Sequence, residues 1–172
     1  MKKIFTLFAA VMLSVSAAFA QFEIGGIVGG LNGVSAKYWF NNNMALQADL
    51  AVGLSVGAVS GGGFSFYDFT LNPNFLYHFD LPSNFKVYTG GGVNLGLMND
   101  LVSYAYYGYG YKGPSVMGKF GVDAVVGASY DISSVPLVLA FDFRPGYGLA
   151  FISGGATSFF DWKLAFAVRY KL

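Results

Sequence analysis

From Phe160 to Leu172 every second residue is apolar or aromatic: Phe160, Trp162, Leu164, Phe166, Val168, Tyr170 and Leu172. Asp161, Lys163, Ala165, Ala167, Arg169 and Lys171 lie between them. A side-chain period of two belongs to an extended strand with one oily and one polar face. The same alternation returns along the chain. Leu46, Ala48, Leu50, Val52, Leu54 and Val56 oppose Gln47, Asp49, Ala51, Gly53 and Ser55. Val87, Thr89, Val93, Leu95 and Leu97 oppose Lys86, Tyr88, Gly90, Gly92 and Asn94, and Phe69, Leu71, Phe75, Tyr77 and Phe79 oppose Asp68, Thr70, Asn72, Asn74 and His78. A chain built this way must fold as a sheet whose strands all turn one oily side to the same surroundings.

The pattern predicts eight strands, at 22–30, 34–40, 44–57, 64–79, 85–97, 118–130, 136–149 and 159–171. Asn41-Asn42-Asn43, the stretch DLPSN at 80–84 and the stretch DISSV at 131–135 are tight turns made of turn-forming residues. The connections at 58–63, 98–117 and 150–158 are longer, and the one near Leu31 to Gly33 is short. No run of about 18 apolar residues follows Gln21, so no helical span is expected. With Gly at 24 positions, helices are disfavoured generally. Short turns at one end and mostly longer loops at the other predict an all-β, eight-stranded antiparallel up-and-down barrel.

Residues 1–20 read as a cleaved secretory signal peptide. Lys2 and Lys3 form the positive start, Ile4 to Val15 are almost all apolar, and Ala18-Phe19-Ala20 is an A-x-A cleavage signal. The mature domain is then 21–172, and no cysteine follows the cleavage point to take a lipid. The absence of cysteine excludes disulfides, thiolate catalysis and cysteine metal sites. A net charge of +1 gives no reason to expect nucleic acid as a partner.

Whether the oily faces point inward or outward decides the class. Three features predict outward, toward lipid. An eight-stranded barrel has an interior just wide enough for side chains to fill, and so many Phe, Tyr, Trp and Leu side chains would overfill it. The opposite faces carry mostly Gly, Ala, Ser and Asn, which suit a crowded lumen. Only 11 % of the chain is charged, against about a quarter in soluble domains. Finally, the strand charges share the polar face. Glu23, Lys37, Asp49, Asp68, Lys86, Lys119, Asp123, Asp142, Arg144, Asp161, Lys163 and Arg169 are expected to form an ion network in the lumen, with Lys171 on the same face. Phe40, Phe79, Phe85 and Tyr130 flank the tight turns, and Tyr67, Tyr147 and Phe160 stand near the other rim, as two interfacial girdles would.

At this point the chain resembles the small eight-stranded outer-membrane barrels of Gram-negative bacteria, the type of OmpX and of the OmpA transmembrane domain. They are also described as porin-family outer-membrane β-barrel domains. The resemblance spans 21–172 and is one of pattern. Its most specific stretches are GLNGVSAKYWFNNNMALQADLAVG and the terminal AFAVRYKL. It implies residence in the outer membrane as a monomer, with lipid as surroundings. It also implies a last strand that serves as a signal to the barrel assembly machinery. Family members usually end in Phe or Trp, whereas this chain ends in Leu172.

The function expected is a non-catalytic structural or surface-interaction role, without catalytic residues, metal or cofactor. His78, the single histidine, lies beside the turn at 80–84, far from the rim where a lipid-modifying enzyme would need it. The glycine runs at 61–63 and 90–92 lack the Lys-Ser/Thr of a phosphate loop. The stretch SYAYYGYGYKGP is the candidate contact loop. Its Tyr104, Tyr106, Tyr107, Tyr109 and Tyr111 would meet an extracellular protein or glycan, or would extend the flanking strands above the membrane. The alternatives are a narrow pore or small-solute conduit, an outer-membrane lipid-modifying enzyme, and a soluble lipocalin-like binder.

Overall fold

The computed structural model describes residues 21–59, 66–100, 116–152 and 155–172. These hold eight strands: β1 (Phe22–Gly29), β2 (Leu31–Trp39), β3 (Met44–Val59), β4 (Phe66–Asp80), β5 (Phe85–Asp100), β6 (Val116–Ile132), β7 (Leu137–Ile152) and β8 (Gly155–Lys171). Each pairs antiparallel with the one before it, and β1 closes on β8, so the sheet is a closed barrel. Closure leaves no free edge of unpaired backbone.

Several bounds differ from the periodicity. β8 begins at Gly155 rather than near 159, and β7 runs on to Ile152, with pairs from Leu149↔Ser158 to Ile152↔Gly155. The longer connection expected at 150–158 is therefore absent. Gly155, Ala156, Thr157 and Ser158 carry no oily alternation, yet their backbones pair. Alternation marks a contrast between two environments, and it fades where both faces of a strand are polar. β2 likewise starts at Leu31, leaving Gly30 alone as the link to β1.

That link is sharp. Gly29 has φ +116°, and a Cβ there would lie 2.7 Å from the Leu164 carbonyl oxygen, so only glycine fits. Asn32 completes the turn: its Oδ1 accepts from Gly29 N at 3.2 Å and its Nδ2 donates to Gly29 O at 2.9 Å. β1 and β2 have 8 and 9 residues, half the length of the long strands. Beyond their hairpin β3 and β8 pair directly, from Val56↔Trp162 to Val59↔Phe159.

The strands sort their faces as the alternation predicts. Leu50, Phe141 and Phe166 are 44 %, 51 % and 42 % exposed on the outside. Their neighbours Asp49, Asp142 and Ala165 are buried within. Phe40, Phe79 and Phe85 stand outward by the short turns, and Tyr147 and Phe160 outward toward the other end. The side chain of Tyr67 lies outside the described residues.

Turn chemistry sets the registers at the short-turn end. Asn41 Oδ1 accepts from the backbone of Asn43 and Met44 at 2.9 and 2.8 Å. Ser83 and Asn84 both take left-handed backbone, φ 64° and 63°, the pair of positive φ that a type I′ hairpin turn demands. Asn adopts that conformation readily, whereas Ser does not. Ser83→Asn is expected to stabilise the barrel by about 0.5 kcal/mol, seen as a higher urea midpoint in lipid vesicles. A lower midpoint would show that Ser83 makes a compensating contact.

Candidate functional site

The lumen is where the polar side chains meet. Its outer part, toward the loops, is closed by an apolar plug of Met98, Met117, Ala150 and Phe159. Alternation did not reveal this plug, although all four share the parity of the charged face. The central part is charged, and its contacts run across the lumen or along one strand more often than between adjacent strands.

Arg144 on β7 is the central tie. Its Nη1 donates to Asp49 Oδ2 on β3 at 2.5 Å, and its Nη2 donates to Asp142. Gln47 Nε2 donates to the same Asp49 oxygen at 2.9 Å, and the Tyr88 hydroxyl donates to Asp142. Tyr88 finds room because Gly127 faces it: a Cβ at Gly127 would stand 2.5 Å from the ring. Nearer the plug, Lys119 on β6 pairs with Asp68 on β4, and Lys163 pairs with Asp161 at 2.5 Å. Asp123 accepts from Asn72 Nδ2 at 2.6 Å and from Asn94 Nδ2 at 3.4 Å.

Below Arg144 lies a different cluster. Lys37 Nζ is 3.2 Å from His78 Nε2 and sits over the rings of Tyr88 and Trp39, 4.8 and 5.4 Å from their centroids. The Trp39 and His78 rings are themselves 4.3 Å apart. Arg169 Nε donates to Ser35 Oγ at 2.8 Å, and Trp39 Nε1 donates to Glu23 Oε1 at 2.7 Å.

Eleven of the twelve residues expected in the network are buried in the lumen: Glu23, Lys37, Asp49, Asp68, Lys119, Asp123, Asp142, Arg144, Asp161, Lys163 and Arg169. Tyr88 links the Arg144 cluster to the Lys37–His78 cluster, because Lys37 lies over the ring whose hydroxyl donates to Asp142. Lys86 is a correction. It stands at the short-turn rim, where it pairs with Asp80 at 2.9 Å. Lys171 pairs there with Asp131 at 2.8 Å. Trp39, Tyr88, Gln47, Asn72, Asn94 and His78 complete the clusters. Each shares parity with the charged residues of its strand, which is the signal that finds them. Tyr104, Tyr106, Tyr107, Tyr109 and Tyr111 lie outside the described residues, as do residues 1–20. Among the described residues no group of three or more His, Asp or Glu side chains is placed to hold a metal ion.

The short-turn end is open. A cavity of about 390 Å³ is lined there by Phe22, Glu23, Trp39, Asp80, Lys86 and Asp131, among others.

No family model matches the chain, and no curated protein matches it. Its fold does recur among solved structures. It is similar to Neisserial surface protein A, with a TM-score of 0.58 at 16 % identity over 88 % of this chain and 97 % of that one. It also aligns with the N-terminal β-barrel domain of Pseudomonas aeruginosa OprF, with a TM-score of 0.46 at 11 % identity over 85 % and 94 % of the two chains. Ail, the attachment invasion locus protein of Yersinia pestis, gives a TM-score of 0.39 at 12 % identity over 87 % and 96 %. The chain therefore shares the closed eight-stranded barrel fold of Neisserial surface protein A.

Proposed function

We propose that this protein is an integral outer-membrane barrel, non-catalytic, that holds surface loops for contact with an extracellular protein or glycan. The observation that carries this reading is the inverted polarity of the barrel. Charged and amide side chains fill the inside, while Leu, Val, Phe and Tyr cover the outside. A water-soluble barrel would reverse the two. Hydrocarbon is the solvent that rewards this exterior, and a closed ring of strands is one of the two backbone arrangements it tolerates. The short turns then face the periplasm, as they do in such barrels. The residues expected at the contact surface are Tyr104, Tyr106, Tyr107, Tyr109 and Tyr111, between β5 and β6. The last strand, β8, is the segment offered to the assembly machinery. Support for a non-conducting barrel comes from the cross-lumen ties and the Met98–Phe159 plug.

Membrane fractionation tests the location: the protein should sediment with outer membranes and migrate faster on gels unboiled than boiled. Recovery as a soluble monomer would overturn the reading. Deleting 103–113 should leave the heat-dependent mobility intact and abolish binding of expressing cells to host-cell glycoprotein arrays. Unchanged binding would refute the contact role. Planar-bilayer recordings should show no discrete conductance steps, and regular steps would instead support a conduit.

A further inference from the structure

The cavity at the short-turn end is lined by a carboxylate with one oxygen that lacks a hydrogen-bond donor. Glu23 is 2 % exposed, lines the cavity and receives one hydrogen bond, from Trp39 Nε1 to Oε1. Its other oxygen, Oε2, is buried and has no hydrogen-bond partner among the described residues. Two lysines stand beside it in register, Lys37 on β2 and Lys171 on β8. Neither supplies the missing bond. Lys37 turns into the lumen toward His78, and Lys171, which itself lines the cavity, pairs with Asp131. Across the cavity Lys86 is taken up by Asp80. Among the described residues Glu23 makes no salt bridge, although the Lys37 ammonium attracts it through space and Lys86 Nζ stands 5.2 Å from the centroid of the Trp39 ring that bonds it. A buried polar atom without a partner is unfavourable; other lumen atoms, Arg169 Nη1 and Nη2 among them, share that state, but Glu23 Oε2 is the one whose residue lines this cavity.

We propose that this cavity is a binding site for an ammonium group, which donates to Glu23 Oε2. The cavity suits it. A volume of about 390 Å³ falls in the range of small-molecule sites, and Trp39 and Phe22 offer aromatic surface to an alkyl stem. The ammonium has two sources. One is a soluble primary amine entering from the periplasm. The other is the chain itself: removal of the leader after Ala20 would leave an α-ammonium on Gln21. That residue lines the same cavity and precedes Glu23 by two positions, just outside β1. The second source rests on the cleavage point, and the site itself does not.

The chain has two tryptophans, which makes a direct test available. Protein purified from outer membranes is studied in micelles, its N-terminus identified by intact mass. The indole N–H resonance of Trp39 reports on Glu23, and that of Trp162, which faces outward, is the control. Adding n-propylammonium should shift the Trp39 signal saturably and leave Trp162 unmoved, while 1-propanol should move neither. Glu23→Gln, which keeps an acceptor for Trp39, should weaken the response at least tenfold. A second preparation, with Gln21 cyclised to pyroglutamate by loss of ammonia, carries no α-ammonium. A response in both preparations identifies a soluble amine as the occupant. A response confined to the cyclised form identifies the chain's own terminus. No saturable response in either preparation, or an equal response to 1-propanol, would overturn the site. Should Glu23→Gln fail to fold, the contrast between propylammonium and propanol on the unaltered chain still decides.

Discussion

Exchange of Arg144 for methionine should destabilise the barrel by about 3–5 kcal/mol, the cost of stripping the partner from a buried ion cluster. The guanidinium is 2 % exposed and is held between Asp49 and Asp142, both equally shut off from solvent. Methionine fills similar volume but leaves two carboxylates facing each other in the lumen, with Gln47 and Tyr88 as their remaining donors. The loss should therefore come from the stranded acids rather than from a cavity. The triple variant Asp49→Asn, Arg144→Met, Asp142→Asn separates the two causes, because it removes the charges together. It should recover most of the lost stability. Urea unfolding in lipid vesicles, followed by tryptophan fluorescence, measures both. A single variant that loses less than about 1 kcal/mol, the scale of an exposed pair, would mean that water reaches this part of the lumen freely.

Leu50→Arg, on the opposite face of the same wall, should cost about 2–4 kcal/mol. Leu50 lies midway along β3, between Val34 on β2 and Leu71 on β4, all pointing outward. An arginine there would have to carry its charge into hydrocarbon or drag headgroups and water toward it. On a water-soluble barrel the same exposed position would tolerate arginine within about 0.5 kcal/mol. The test thus reads the surroundings of the wall directly, through the urea midpoint in vesicles. A neutral result would remove the physical basis for a membrane location.

The fold was legible because one rule operates throughout. An apolar exterior and a crowded polar lumen force strict alternation, so each strand from Leu46 to Tyr170 announces itself and its facing. The turns were legible through Asn41 to Asn43 and the stretch at 80–84, whose residues favour bends. Strand ends were less so, since Gly155 to Ser158 pair without a facing preference. The candidate site was legible by parity alone. Parity puts Asp49 and Arg144 on the same side of the wall, but which residues meet across the lumen depends on strand tilt and stagger. Lys86 has the right parity, but so near its turn it meets Asp80 and the Trp39 ring at the mouth of the lumen rather than the buried clusters. The plug of Met98, Met117 and Phe159 was hidden because apolar residues on the inner face look like breaks in the pattern.

The early stop of the β1–β2 hairpin at Gly30 changes how this wall can part. In a uniform barrel, peeling the first strand from the last opens the cylinder from end to end. Here that seam runs only from Glu23↔Lys171 to Gly29↔Ala165, and above it β3 holds β8 directly. Strands β3 to β8 form a smaller ring of their own, joined through each successive pair and back again. Pulling β1 away would unfasten a flap in the short-turn half and leave the cylinder shut toward the long-loop end.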